Sequence, residues 1–231
     1  MAPQAATPPY DTRERILAAA AELFAVRGFE GTSTRHIAAA VGIRQPSLFH
    51  HFPTKQAILT ELLDRDLGPA LDRVRRIRAS AGSAAARLHA YVAGDVAALI
   101  GFPFDARGLY RDEVLEDEAF ATQRACREAL HCEIEALVAE GCEGSEFRDV
   151  DPAFAPQVIH AMTIEIILQV ATRGSSRLAD RPKQIADFVL RGLLAEPAAL
   201  DDVRSEAARI ADRPTPSDEG RDGSGGVAGR R

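Results

Sequence analysis

Three short runs in the first sixty residues have side chains of the right type and spacing to hold a polyanion. Arg35 falls near the start of one predicted helix, Arg44-Gln45-Pro46-Ser47 opens the next, and Lys55 opens a third. A helix amino end carries about +0.5 of an elementary charge and favours Asp or Glu there by roughly 0.3–1 kcal/mol. Cations at two such ends cost stability unless an outside anion sits beside them. Phosphate suits, because exposed N–H groups, helix dipole and cation all converge on it. Taken singly, each cation could equally be a tolerated surface charge. The surroundings argue otherwise: between Glu30 and Glu61 there is no carboxylate, while the same stretch holds Arg35, Arg44, Lys55 and three of the six histidines. A surface cleared of anions is what close contact with nucleic-acid phosphates requires.

The segment that carries these groups, GTSTRHIAAAVGIRQPSLFHHFPTK, reads as two short helices around a tight turn. Ser33 caps the first, Ile37 and Val41 set its inner face, and Gly42 ends it. Pro46 suits the first turn of the second helix, where a missing N–H costs nothing. Leu48 and Phe52 face inward, and Pro53 prevents continuation. Thr54 caps a longer helix with Leu59, Leu62, Leu63 and Leu67 on one stripe, which Gly68-Pro69 is expected to interrupt or kink. An earlier helix starts near Asp11 or Thr12, with Asp11 and Glu14 predicted as a capping box. It buries Ile16, Ala20, Leu23 and Phe24 and stops at Gly28. In a helix-turn-helix the second helix enters the major groove and its first residues reach base edges. Arg44 can pair with guanine, Gln45 with adenine and Ser47 with either, while the Pro46 ring can meet a thymine methyl. Phe49, His50 and His51 continue the outer face. Adjacent helical residues point about 100° apart, so the two histidines read as donors to phosphate and not as metal ligands.

Residues 12–64 resemble the DNA-binding domain of the TetR (tetracycline-repressor-like) family of bacterial one-component regulators. The likeness rests on RERILAAAAELFAVRGF, on the entry at Gly31, Arg35 and Ile37-Ala38, on the turn at Gly42-Ile43, and on LFHHFPTK at 48–55. It implies that Thr34, Arg35 and Lys55 hold phosphates and that Gln45-Pro46-Ser47 enters the groove. Phe49 and His51 match an aromatic and a histidine that usually follow. The usual aromatic is Tyr, whose hydroxyl bonds a phosphate; Phe49 can offer only its ring.

The chain has 231 residues and a net charge of −6. That balance argues against a nucleic-acid partner until it is divided. Residues 1–60 contain six cations (Arg13, Arg15, Arg27, Arg35, Arg44, Lys55) against four anions (Asp11, Glu14, Glu22, Glu30), so the acidity belongs to the remainder. The three cysteines have no C-x-x-C spacing, which points to reduced thiols and excludes a disulfide framework. No apolar run approaches the roughly 18 residues of a membrane span, and the amino end has no apolar leader core. A cytoplasmic protein with no membrane partner is expected. No segment alternates with period two, so the fold is expected to be all-α. Its plan is a flexible tail (1–10), a three-helix helix-turn-helix domain (11–65), a helical effector-binding and dimerisation domain (66–195), and a disordered tail (196–231). Helices in the second domain are expected near 70–80, 83–101, 106–114, 117–141, 152–173 and 180–195.

The family's second domain binds a small effector and dimerises through its last two helices, and the residues here support that plan independently. The helix at 152–173 is apolar on more than one side, which calls for partners on two faces. Val158, Met162, Ile166, Ile185, Phe188, Val189 and Gly192 are the expected dimer contacts; a buried hairpin within a monomer is the alternative. Two recognition helices about 34–36 Å apart would read successive groove turns of a near-palindrome in double-stranded DNA. Polar residues within apolar stretches and nearby aromatics mark an effector pocket: Phe102, Phe104, Tyr110, Phe120, His131, His160 and Glu165. For Glu165, a ligand, an arginine across a dimer and plain exposure all remain open. Glu128, His131 and Glu135 have helical spacing that admits a metal, but a solvated face explains them as well, and no metal or cofactor is implied. Together these readings describe a homodimeric transcriptional regulator, a repressor released by an unidentified small molecule. The competing class is an all-α enzyme or ligand carrier, but no nucleophile–base pair or Gly-rich phosphate loop is present.

Overall fold

Apolar residues recur three and four apart through most of the chain, and helices form wherever they do. The computed structural model describes residues 11–110 and 112–211; the expected tail at 1–10, and residues 212–231 of the one expected at 196–231, lie outside them. The helices are α1 (Thr12–Arg27), α2 (Thr34–Val41), α3 (Gln45–His51), α4 (Lys55–Arg78), α5 (Ala84–Gly101), α6 (Asp112–Leu115), α7 (Ala121–Glu143), α8 (Phe154–Arg173), α9 (Arg181–Leu193) and α10 (Leu200–Ala211). Short 3-10 turns lie at Ala106–Gly108, Glu118–Phe120, Ser175–Leu178 and Pro197–Ala199. Among the described residues there is no strand, only a lone antiparallel bridge between Phe147 and Leu194. The all-α expectation is met.

Helices α1–α3 and the start of α4 make the head. Ile16, Leu17, Ala20 and Phe24 of α1 bury against Ile37 and Val41 of α2, Leu48 of α3, and Ile58, Leu59 and Leu62 of α4. In the body, α5 is central and packs on α4, α7, α8, α9 and α10.

Four expectations are corrected. Gly68-Pro69 does not interrupt α4, which runs unbroken from Lys55 to Arg78 with Pro69 inside it. Proline's fixed φ is helical, its ring here faces solvent, and Leu67, Ala70, Leu71 and Val74 anchor both sides of the lost hydrogen bond in the core. The boundary at 65/66 therefore falls within one rigid rod. Asp11 stands at the α1 N-cap without a side-chain hydrogen bond. Glu14 instead accepts from Arg65 at 2.7 and 2.9 Å, and that bonding holds its carboxyl below the usual range. The expected disordered tail is also ordered through residue 211. Leu200, Val203, Ala207 and Ile210 form a buried stripe of α10 on α5, while Glu206 accepts from the Ser83 amide and hydroxyl. Lastly, α8 is by length and composition apolar enough to cross a bilayer, although its apolar positions are broken by polar ones. A third of it is buried within the chain.

Head and body meet through small and aromatic residues. A Cβ on Gly108 would lie 2.5 Å from the carbonyl carbon of Phe24 and 2.7 Å from the Ala25 nitrogen, so only glycine lets the 106–108 turn touch α1. Beside it, Phe29 packs on Phe24 at 5.3 Å and edge-on to Phe120 at 5.6 Å between ring centres.

Candidate nucleic-acid interface and effector chamber

The turn between α2 and α3 is set by local chemistry. Gly42 takes the left-handed conformation (φ 75°, ψ 29°), and its N–H and that of Ile43 close on the carbonyls of Ala39 and Ala38. At the other end of α2, Ser33 Oγ accepts from the His36 amide at 3.2 Å. The Ser33 amide donates to His36 Nδ1 at 3.3 Å. This is a capping box in which histidine replaces the usual Glu or Gln, so the helix start is closed without a carboxylate. Arg15 donates to the Val41 carbonyl at 2.6 Å and secures the carboxyl end of α2. Arg13 lies 4.1 Å from the Phe52 ring centre and donates to the His51 carbonyl at 2.8 Å. Arg13 and Arg65 both also bind Glu61, so the carboxylate that closes this stretch is occupied within the fold.

On the outer face, Arg35, Arg44, Pro46, Ser47, Phe49 and His50 are exposed, with Thr34, Gln45 and His51 partly so. Arg35 and Arg44 form no ion pair among the described residues. Gln45 Nε2 donates to Thr34 Oγ1 at 2.9 Å across the turn. Lys55 differs from the outward ammonium expected at the start of α4. Its Nζ donates to the Phe29 carbonyl at 2.7 Å, lies 3.9 Å from the Phe29 ring centre, and has Glu30 at 3.9 Å. Thr54 caps this first turn by accepting from the Ala57 amide, and the Lys55 side chain reaches the α1–α2 loop, which the sequence spacing does not reveal.

Of the expected effector residues, Tyr110 and His160 line a cavity of about 40 Å³ between α4, α5, α7 and α8, together with Asp66, Asp95 and Thr163. Tyr110 Oη donates to Asp66, and Asp95 pairs with Arg73 at 2.8 Å. Burial pushes Asp66 up and Asp95 up to about 6, and pushes both Tyr91 and Tyr110 well above the usual phenol range. His131 stacks edge-on to His160 at 5.7 Å and is lowered by burial. Sequence reasoning missed Asp66, Arg73 and Asp95. The available signal was Asp95, a lone acid within YVAGDVAALIG.

Four expected pocket residues lie elsewhere. Phe120 is fully buried in the head–body junction. Phe102 and Phe104 pack edge-on to each other at 5.5 Å, beside Arg65, because the chain turns outward after α5. Glu165 is exposed and accepts from Gln169 at 2.8 Å; the periodicity of α8 carries it away from Thr163 and Ile167, which face the chamber.

Along α8 and α9, Phe154, Val158, Met162, Phe188, Val189 and Gly192 border an apolar groove of about 240 Å³. Phe154, Leu168 and Phe188 are 61%, 46% and 67% exposed. Ile185 is partly buried against the chain's own core, and Ile166, at 1% exposed, points wholly into it. Ile166 is thus removed from the expected dimer contacts, again by helical phase.

The two short helices, their glycine turn and an exposed face without carboxylates define a helix-turn-helix DNA-binding protein with a second, all-helical domain. Residues 16–62 match the model of bacterial regulatory proteins of the tetR family, and residues 81–193 match the tetracyclin repressor-like C-terminal domain. The chain belongs to the TetR family of transcriptional regulators. The HTH-type transcriptional repressor KstR2 of Rhodococcus jostii (strain RHA1) is 30% identical over 185 residues, 78% of this chain and 90% of that protein. The crystal structure of Mycobacterium smegmatis AmtR matches with a TM-score of 0.73 and 32% identity, covering 92% of this chain and 100% of that one. KstR2 of Mycobacterium tuberculosis, a ketosteroid transcriptional regulator, matches with a TM-score of 0.68 and 25% identity over 84% of this chain and 98% of that one. The chain is accordingly a ligand-responsive DNA-binding regulator and not an enzyme.

Proposed function

We propose that two copies of the chain pair through the α8–α9 face and set their α3 helices into successive major-groove turns of a near-palindromic operator. There they repress transcription until a small molecule enters and widens the chamber, whose volume of about 40 Å³ is below that of a ligand site. The carrying observation is the exposed face of α2 and α3, which presents Arg35 and Arg44 with no carboxylate beside them. In this reading Arg44, Gln45, Pro46 and Ser47 meet base edges, while Thr34, Arg35, His50 and His51 hold phosphates and Phe49 packs on sugar. Lys55 instead ties the start of α4 to Phe29, and with it the head to the body.

Pairing is supported by the exposed side chains of Phe154, Leu168 and Phe188, with Val158 and Met162 half-buried beside them, and by Gly192, where the missing side chain permits close approach. One module alone buries too little surface for tight specific binding. Release is supported by the 102–120 segment: Tyr110 bonds Asp66 in the chamber, while Gly108 and Phe120 touch Phe24 and Phe29 of the head. A ligand that moves Tyr110 moves the contact with α1; coupling of this kind is commonly ~1–3 kcal/mol. The site of action is the cytoplasm, where a bacterial operator is accessible.

Selection of bound duplexes from a random pool tests the proposal. Enrichment of an inverted repeat with half-sites about one helical turn apart is expected. Enrichment of a lone half-site, or of nothing, overturns it.

A further inference from the structure

The hydrogen bond between Thr34 and Gln45 does more than brace the turn. Thr34 is the first residue of α2 and Gln45 the first of α3, so the bond joins the two helices at the ends turned toward DNA in the proposed function. Both side chains are partly buried, while Arg35, Arg44, Pro46 and Ser47 around them are exposed. We infer that Thr34 is a positioning residue for base recognition: its hydroxyl fixes which way round the Gln45 amide faces the groove. The inference rests on Gln45 meeting a base and Thr34 a phosphate, both as proposed above.

A carboxamide presents an acceptor on one side and two donors on the other, in nearly the same shape. Left to itself, a glutamine at a helix start can turn either end outward and suit more than one base. A threonine hydroxyl has one hydrogen to give and lone pairs that accept. When that hydrogen goes to a phosphate oxygen, the only bond left for Gln45 is one that Thr34 accepts. Nε2 must then face Thr34, as it does at 2.9 Å. Oε1 and the second Nε2 hydrogen project outward as an acceptor beside a donor, the pattern that matches adenine N6–H and N7. With the amide reversed, Thr34 would have to donate to Oε1 and would lose its phosphate. Holding the backbone and reading the base thus become one linked contact: seating the phosphate selects the amide orientation that reads adenine.

The test uses the full chain, the duplex enriched from the random pool, and duplexes with each other base pair substituted at every position of one half-site. Gln45→Ala identifies the position that Gln45 reads, as the one where preference collapses. Thr34→Val keeps the shape and removes the hydroxyl, Thr34→Ser keeps the hydroxyl, and Thr34→Ala serves as a second deletion should the valine perturb α2 by circular dichroism. Preference at the Gln45 position is expected to fall at least ~5-fold in Thr34→Val and Thr34→Ala, within the span of a good bidentate pair. It should return in Thr34→Ser. In a Gln45→Ala background, Thr34→Val should weaken all duplexes by one common factor. A uniform loss in the wild-type background as well, with the Gln45 preference intact, overturns the inference and leaves Thr34 as a phosphate contact only. Absence of any enriched duplex for the unmodified protein would instead defeat the proposed function.

Discussion

Arg35 and Arg44 stand in solvent on the head without an ion pair among the described residues, whereas in the body Arg73, Arg78 and Arg204 each hold a carboxylate. The outer face of α2 and α3 displays its cations, whereas these three in the body are consumed. The carboxylates follow the same division. Glu14 and Glu61 at the edge of the head are engaged by Arg13 and Arg65, away from the outer face. A surface prepared for an external polyanion leaves its cations unmatched, at a small cost in stability. The body, by contrast, pairs Arg73, Arg78 and Arg204 with its own carboxylates. Substitutions should therefore separate cleanly, with binding lost from the head and stability lost from the body.

The largest effect on folding is expected where head and body touch. Gly108→Ala places a Cβ within 2.5 Å of the α1 backbone, which must give way. Overpacking of this kind costs typically ~1–3 kcal/mol, a drop in Tm of several degrees that differential scanning calorimetry will record. Asp187→Ala should cost ~1–3 kcal/mol at neutral pH, because it strips the partner of Arg204 (2.6 Å) and His89 (3.0 Å). Hydrogen bonding to Arg204 holds the Asp187 carboxyl down to about 2. Its depressed value contributes stability above pH ~4 that is lost as pH falls toward about 2; denaturant midpoints across that window should fall more steeply in the unmodified protein than in the variant.

Arg44→Ala belongs to the other side of the division. It should relax preference at one base pair by ~1–3 kcal/mol while leaving Tm unchanged, as read by competition binding and calorimetry on the same preparation. The smallest effect is in the chamber. Asp95 is raised to about 6 mainly by burial, with Asp66 adding like charge, so its contribution opposes folding above pH ~6 and is relieved as pH falls below that. Asp66→Asn keeps an acceptor for Tyr110 but removes that charge. The Asp95 value should move down from about 6, visible in carboxyl-carbon NMR titration; no movement would mean that the two carboxyls do not sense each other.

How far the sequence could be read follows the same division. The head is built from contiguous residues: Ser33, Gly42, Leu48 and Thr54 each act on neighbours a few positions away, and each acts as its type and spacing indicate. The chamber is drawn from α4, α5, the 102–120 segment, α7 and α8, and no local pattern says that Tyr110 will donate to Asp66, 44 positions away. Helical phase explains the misplacement of Glu165 and Ile166, since a helix apolar nearly all round does not announce which face turns inward. Composition averaged over the last 36 residues hid Leu200, Val203, Ala207 and Ile210, a four-residue stripe sufficient to dock α10. Lys55 is the instructive case within the head itself: its position predicts a phosphate ligand, and only the packing of Phe29 beneath it shows where the ammonium goes.

Affinity for the selected operator, titrated with salt, tests most directly whether the α2–α3 face holds phosphates. With ~6–10 phosphate contacts in the dimer, the equilibrium constant should fall by about three orders of magnitude or more between ~50 and ~200 mM salt, and Arg35→Ala should make the slope shallower. An affinity that barely changes over that range would contradict the assignment of this face to DNA.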